Sequence, residues 1–156
     1  MPVPAASPAR PAHRPAPRAS SGAPGPVVLA VGNRDLGRLA MHFAASRPGA
    51  RAHHCAHADV LAVVRAMAID LVLLDVDALL MTGFVLAAQI RAADRGRHDG
   101  KSAVIVATTS SQCKFLDCHV GGSAIEGVLK MPCNLALFET FVDRWCLAGN
   151  LEPWAV

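Results

Sequence analysis

Apolar residues in this chain fall into two kinds of run. Short unbroken runs stand in PVVLAVGN, IDLVLLD and AVIVATTSS, ending on Gly-Asn, on a carboxylate and on hydroxyls. A run of that length without polar alternation predicts a strand buried on both faces, the habit of parallel sheets. The other kind recurs at helical spacing, as with Leu36, Leu39, Ala40 and Phe43 in RDLGRLAMHFAA, where Asn33 or Asp35 is suited to start the helix. Further along, ARAHHCA predicts a short second strand and ADVLAVVRAMA a helix capped by Asp59. After the Asp75 strand a loop closes at Gly83 and LAAQIRAADR continues as a helix. AIEGVLKMP and LALFETFVDRWCLAG supply the fifth strand and its helix. Five alternations of strand and helix predict βαβ units in one parallel sheet with helices on both faces. Right-handed crossovers leave few topologies for it.

The stretch from Ile69 to Phe84 organises the rest. Its apolar run stops on Asp75, and in open α/β sheets the crevice beyond the carboxyl ends of the strands is where ligands bind. Asp75 followed eight residues later by Gly83 resembles the phospho-acceptor segment of response-regulator receiver domains. Between the two, the family has Met-Pro and a further Asp where this chain has Ala78, Leu79 and Thr82. The resemblance covers about Pro26 to Leu147. It implies a flavodoxin-like, doubly wound five-stranded parallel sheet of order 2-1-3-4-5.

Composition sets the limits of the reading. In 156 residues the apolar fraction, 53%, is ample for one core and leaves room for tails. Residues 1–26 are Pro, Ala, Ser and Arg with few large apolar side chains, which predicts a disordered tail ahead of a domain over residues 27–148 and a short tail over residues 149–156. That first segment lacks the apolar core of a secretory signal, and its prolines spoil the amphipathic helix of a transit peptide. No run approaches a membrane span, so the expected location is cytoplasmic, and the five cysteines are expected to be reduced. A net charge of +3, much of it from Arg10, Arg14 and Arg18, with no Tyr and few other aromatics, gives no footprint for nucleic acid.

The resemblance implies chemistry at named positions. Receivers accept a phosphoryl group from a histidine kinase or phosphotransfer protein, with Mg²⁺ offsetting the charge, and the transfer depends on positioning and electrostatic stabilisation. Asp75 matches the acceptor, and Thr108 the hydroxyl that turns to the new phosphoryl oxygen. Other positions depart. Gly32 and Asn33 stand where the family has adjacent metal-binding acids, so only Asp75 and an Asn carbonyl remain for Mg²⁺, which is expected to bind weakly or not at all. Arg34 is the nearby cation suited to compensate. Met131 stands at the family's lysine, before Pro132, and Lys130 comes one place early; one step along a strand reverses the face, so Lys130 replaces it only across a bulge. Val128 stands in for the switch aromatic.

HHCAHAD, and Cys113 with Cys118 and His119, hold metal-ligand residue types without metal-ligand spacing, and TTSS lacks the glycines of a phosphate loop or nucleophile elbow. The function the resemblance implies is that of a non-enzymatic receiver-like domain of a two-component phosphorelay, accepting a phosphoryl group on Asp75 or retaining the fold as a signalling module. The alternative is a pseudo-receiver that keeps the fold and acts through protein contact. In the family the fourth helix, fifth strand and fifth helix change with state. One of Phe115, Phe138, Phe141 and Trp145 is expected to be exposed there, to anchor a homodimer or a target. Only NLEPWAV follows the last helix, so any effect is expected to pass through partner binding.

Overall fold

A computed structural model of the chain describes residues 25–79, 81–95, 100–111 and 123–147. The elements are β1 (Val27–Val31), α1 (Arg34–Ser46), β2 (Arg51–Cys55), α2 (Val60–Ala66), β3 (Leu71–Asp75), α3 (Thr82–Ala93), β4 (Val104–Thr109), β5 (Gly127–Lys130) and α4 (Leu135–Leu147). All strand pairs are parallel, as the unbroken apolar runs predict, and the order is β2-β1-β3-β4-β5, the one the resemblance implies.

Alternation along the strands splits the core in two. Val27, Leu29, Val31, Val72, Leu74, Ile105 and Ala107 pack with Val60, Val64, Ala87 and Ile90 of α2 and α3. Val28, Ala30, Leu71, Leu73, Val106 and Leu129 pack on the opposite face with Leu36, Ala40, Phe43, Phe138 and Val142 of α1 and α4. Side chains of this kind each contribute roughly 1.5–3 kcal/mol when fully buried. Asp70, 8% exposed, serves the amino ends of two strands: its carboxylate accepts the Val27 N–H at 2.7 Å and its main-chain carbonyl accepts the Val104 N–H at 3.0 Å. Arg47 after α1 pairs with Asp143 of α4 at 2.5 Å, and Ser46 bonds Glu139 at 3.0 Å, tying the two helices of one face.

Several boundaries differ from the sequence reading. Pro26 is already ordered, its carbonyl accepting the Arg51 N–H at 2.9 Å, and a Cβ on Gly25 would lie 2.4 Å from the Gly49 carbonyl carbon. Gly25 and Pro26, which the sequence reading places in the tail, thus contact the start of β2 and the turn before it; the other residues of the tail lie outside those described. Asp59 makes no side-chain cap, because a 3-10 turn over His57–Asp59 leads into α2 and holds its backbone in helical conformation. Gly83 does not close a loop; α3 begins at Thr82, and Gly83 is buried in its first turn against Val76. Phe115, Cys113, Cys118 and His119 lie outside the described residues, as do residues 148–156.

Candidate functional site

Register brings the predicted residues to one sheet edge. Asp75 pairs with Thr108 across β3 and β4, and Thr108 pairs with Leu129 across β4 and β5. Counting by alternation from Leu71 and Leu73, Asp75 and Thr108 stand on the α1/α4 side of the sheet. Thr109 and Lys130, also paired, belong to the α2/α3 side. Met131 returns to the α1/α4 side and packs on that cluster, before a cis peptide bond to Pro132. Residue 131 thus shares the face of Asp75, while Lys130 is exposed and donates from Nζ to the Ser111 carbonyl at 3.2 Å. Val128 is buried among the α2/α3 residues.

The residues around Asp75 are held by their own contacts. Its Oδ1 accepts the Asp77 N–H at 3.1 Å, and its carbonyl accepts a hydrogen bond from Nε2 of His57 at 2.6 Å. A carbonyl can only accept, so Nε2 of His57 carries the proton. Gly32 has φ of 95°, a conformation that side chains with a Cβ rarely adopt. A Cβ there would also lie 2.4 Å from Cε1 and 2.8 Å from Nε2 of His57. The imidazole therefore takes the space that a side chain at position 32 would enter. Next to it, Asn33 Oδ1 accepts the N–H groups of Asp35 at 2.8 Å and Leu36 at 3.3 Å. Asn33 is the N-cap of α1, and its oxygen is spent on two amides of the first turn.

Arg34 is exposed and lines an open groove of about 610 Å³ between α1 and β2, with Gly37, Arg38, Met41, His42 and His54. Asp75 is not among the residues of that groove.

Asp77 is engaged more fully than Asp75. Its Oδ1 accepts the Thr109 hydroxyl at 2.5 Å, and its Oδ2 accepts the Ser110 N–H at 2.9 Å and the Ser110 hydroxyl at 2.6 Å. Burial alone would push its carboxyl up, but the hydrogen bonds from Ser110 and Thr109, together with the charge of Lys130, outweigh it and hold the pKa below the ordinary 3.8. Burial is also the main cause that pushes the thiols of Cys55 and Cys133 up, which suits inert cysteines.

Mg²⁺ needs near-octahedral oxygen ligation and favours carboxylates. Here Gly32 offers none and is covered by an imidazole, Asn33 is committed to a helix cap, and Asp77 is closed by hydroxyls. These residues do not fit the ion. Among the described residues no group of three His, Cys, Asp or Glu is placed to hold a metal, HHCAHAD included.

Neither His57 nor the Asp77 clamp stands out in the sequence as a site feature. His57 lies in a histidine-rich segment whose spacing suggests nothing, and its contact with Gly32 joins two strand ends far apart in the chain. The one available signal is Gly32 itself, a glycine at a strand end where an acid is expected.

No protein-family model matches this sequence, and no curated protein matches it. Solved structures do. A response regulator from Thermotoga maritima superposes with a TM-score of 0.66 at 16% identity, over 78% of this chain and 98% of that one. The fold is that of a receiver domain. The receiver domain of a sensor histidine kinase from Pseudomonas aeruginosa, which has a magnesium ion coordinated in its active-site cleft, gives 0.57 at 18% identity over 78% of this chain and 98% of that one. A structure of an adenylate cyclase from Rhodopirellula baltica gives 0.62 at 14% identity over 78% and 87%. Likeness at these identities shows the fold alone, and function has to be argued from the site. No helix among the described residues is long and apolar enough to cross a membrane.

Proposed function

We propose that this chain is a receiver-like signalling module that acts through protein contact and not through Mg²⁺-dependent phosphoryl transfer. The observation that carries this reading is the His57 ring over Gly32, because it closes the space from which the first metal-binding acid would reach. Asn33 capping α1 and Met131 on the face of Asp75 act in the same direction: the first takes away a carboxylate ligand for the metal, the second a cation that would offset a phosphoryl dianion. The signalling unit on this reading is the domain of residues 27–148 with Gly25 and Pro26 packed at its start, and its upstream partner is a histidine kinase or phosphotransfer protein. A second copy or a target docks on the side of β5 and α4, where Leu135 and Leu137 are exposed.

A second reading, in which Asp75 is phosphorylated, has one specific observation in its favour: Asp75 and Thr108 stand in register on one face at the carboxyl edge. The two are separated by incubating the protein with acetyl phosphate or a phosphorylated histidine kinase, with and without Mg²⁺, and following intact mass beside Asp75→Asn. The expected result is no addition above that control. Rapid, Mg²⁺-dependent addition of one phosphoryl group, absent in Asp75→Asn, would overturn the contact-only reading.

A further inference from the structure

The end of β4 carries hydroxyls on both sides of the sheet. Thr108 shares the face of Asp75, and Thr109 shares the face of Lys130. On that second face a carboxylate already occupies the donors. Asp77 takes the hydroxyls of Thr109 at 2.5 Å and Ser110 at 2.6 Å, and the Ser110 N–H at 2.9 Å. Thr109 Oγ1 accepts the Ser111 N–H at 3.1 Å, and Lys130 Nζ donates to the Ser111 carbonyl at 3.2 Å. Two hydroxyls, a main-chain amide and a lysine one residue removed therefore gather around one fixed anion. Charge-assisted bonds of this kind are shorter and roughly twice as strong as neutral ones.

We propose that Asp77 is a built-in anion that holds the β3–α3 turn permanently against the end of β4, so that this edge of the domain keeps one arrangement whether or not Asp75 is modified. This rests on the contact-only reading and gives it a physical basis. The anion stands two residues beyond Asp75 and draws its donors from Thr109 and Ser110 at the end of β4. The clamp also reaches Asp75, whose Oδ1 accepts the Asp77 N–H at 3.1 Å, while His57 holds the Asp75 carbonyl at 2.6 Å. Both flanks of Asp75 are thus fastened. The lowered carboxyl pKa of Asp77 keeps the anion charged at neutral pH.

The test is residue-resolved amide exchange by NMR on the whole chain, comparing the wild type with Asp77→Ala, Asp77→Asn and Asp75→Asn. Loss of an anionic acceptor is expected to speed exchange at Ser110 and Ser111 by about tenfold or more in Asp77→Ala. Core amides of β1 and β3 should keep their protection. Asp75→Asn retains an acceptor oxygen for the Asp77 N–H and should leave Ser110 and Ser111 unchanged. Should Asp77→Ala not fold, Asp77→Asn, which keeps the side-chain size, is expected to give a smaller increase at the same two amides. Unchanged exchange at Ser110 and Ser111 in every folded Asp77 variant would overturn the clamp while leaving the contact-only reading intact. Acetyl phosphate added to the wild type is expected to change neither amide. A change that Asp75→Asn abolishes would overturn both, and intact mass in the same sample would show the phosphoryl group responsible.

Discussion

His57 and Gly32 are fitted to each other: the ring stands 2.4 Å from where a Cβ on residue 32 would be, and its Nε2 is tied to the Asp75 carbonyl at 2.6 Å. The missing acid and the histidine are therefore one structural feature. An acid at position 32 cannot be restored without moving the ring, and moving the ring releases the backbone of Asp75.

Gly32→Ala is accordingly expected to destabilise the domain through two separable causes. Left-handed backbone at φ 95° costs a residue with a Cβ about 1–2 kcal/mol, and the contact with His57 adds to it. In Gly32→Ala combined with His57→Ala the second cause disappears and the first remains. Urea unfolding of the two single variants and the double variant should give a favourable coupling of about 0.5–3 kcal/mol. Strict additivity would mean that the ring and residue 32 do not meet.

At the other end of the sheet stands Asp70, the residue before β3. Its carboxylate accepts the buried Val27 N–H at 2.7 Å, and Asp70→Ala leaves that donor without its partner. A loss of about 1–3 kcal/mol is expected in chemical denaturation. Asp70→Asn keeps an acceptor oxygen and should lose less; equal losses would argue that the charge, and not the hydrogen bond, matters.

These two sites show which parts of the molecule a sequence can disclose. The unbroken runs of β1, β3 and β4 mark strands covered on both faces, and the helical spacing of Leu36, Ala40 and Phe43 marks the face of α1, because burial and periodicity are written locally. The opposite facing of Lys130 and Met131 follows from strand alternation alone. His57 over Gly32 does not, since it depends on how the 3-10 turn after β2 lies against the end of β1. Asp77 is visible as an acid beyond Asp75, but its three donors come from a different strand end. Which aromatics of α4 are covered is not legible either: helical spacing identifies a buried stripe without telling which side chains fold back over its border, as Phe141 and Trp145 do.

The clamp has a consequence for acid stability. Because folding lowers the Asp77 carboxyl below 3.8, its contribution is complete above that unfolded value and is lost as pH falls through the lower folded value. The difference in unfolding free energy between wild type and Asp77→Asn should therefore be constant near neutrality and shrink on acidification below 3.8. A difference that grows on acidification would carry the wrong sign and remove Asp77 from the account.

Of the four aromatics expected at the partner surface, Phe115 lies outside the described residues and the other three are covered at least in part. Phe138 is fully buried, Phe141 and Trp145 are half-buried with ring centroids 6.1 Å apart, and Trp145 covers Gly127, where a Cβ would lie 2.7 Å from its ring. The large apolar side chains of α4 left in water are Leu135 at 37% and Leu137 at 55% exposure. Both lie in the first turn, which Asn134 caps through the Leu137 N–H at 2.8 Å, so their positions are fixed by the helix start. An exposed leucine such as Leu137 on a rigid turn suits a second copy of the chain, since an apolar side chain can meet its twin in an isologous interface. Leu137→Glu places like charges face to face in such a dimer and should shift sedimentation of a self-associating wild type towards the monomer. As an exposed position, it should alter unfolding stability by no more than about 0.5 kcal/mol. Association that survives Leu137→Glu, or a wild type that stays monomeric at high concentration, would move the contact surface away from α4.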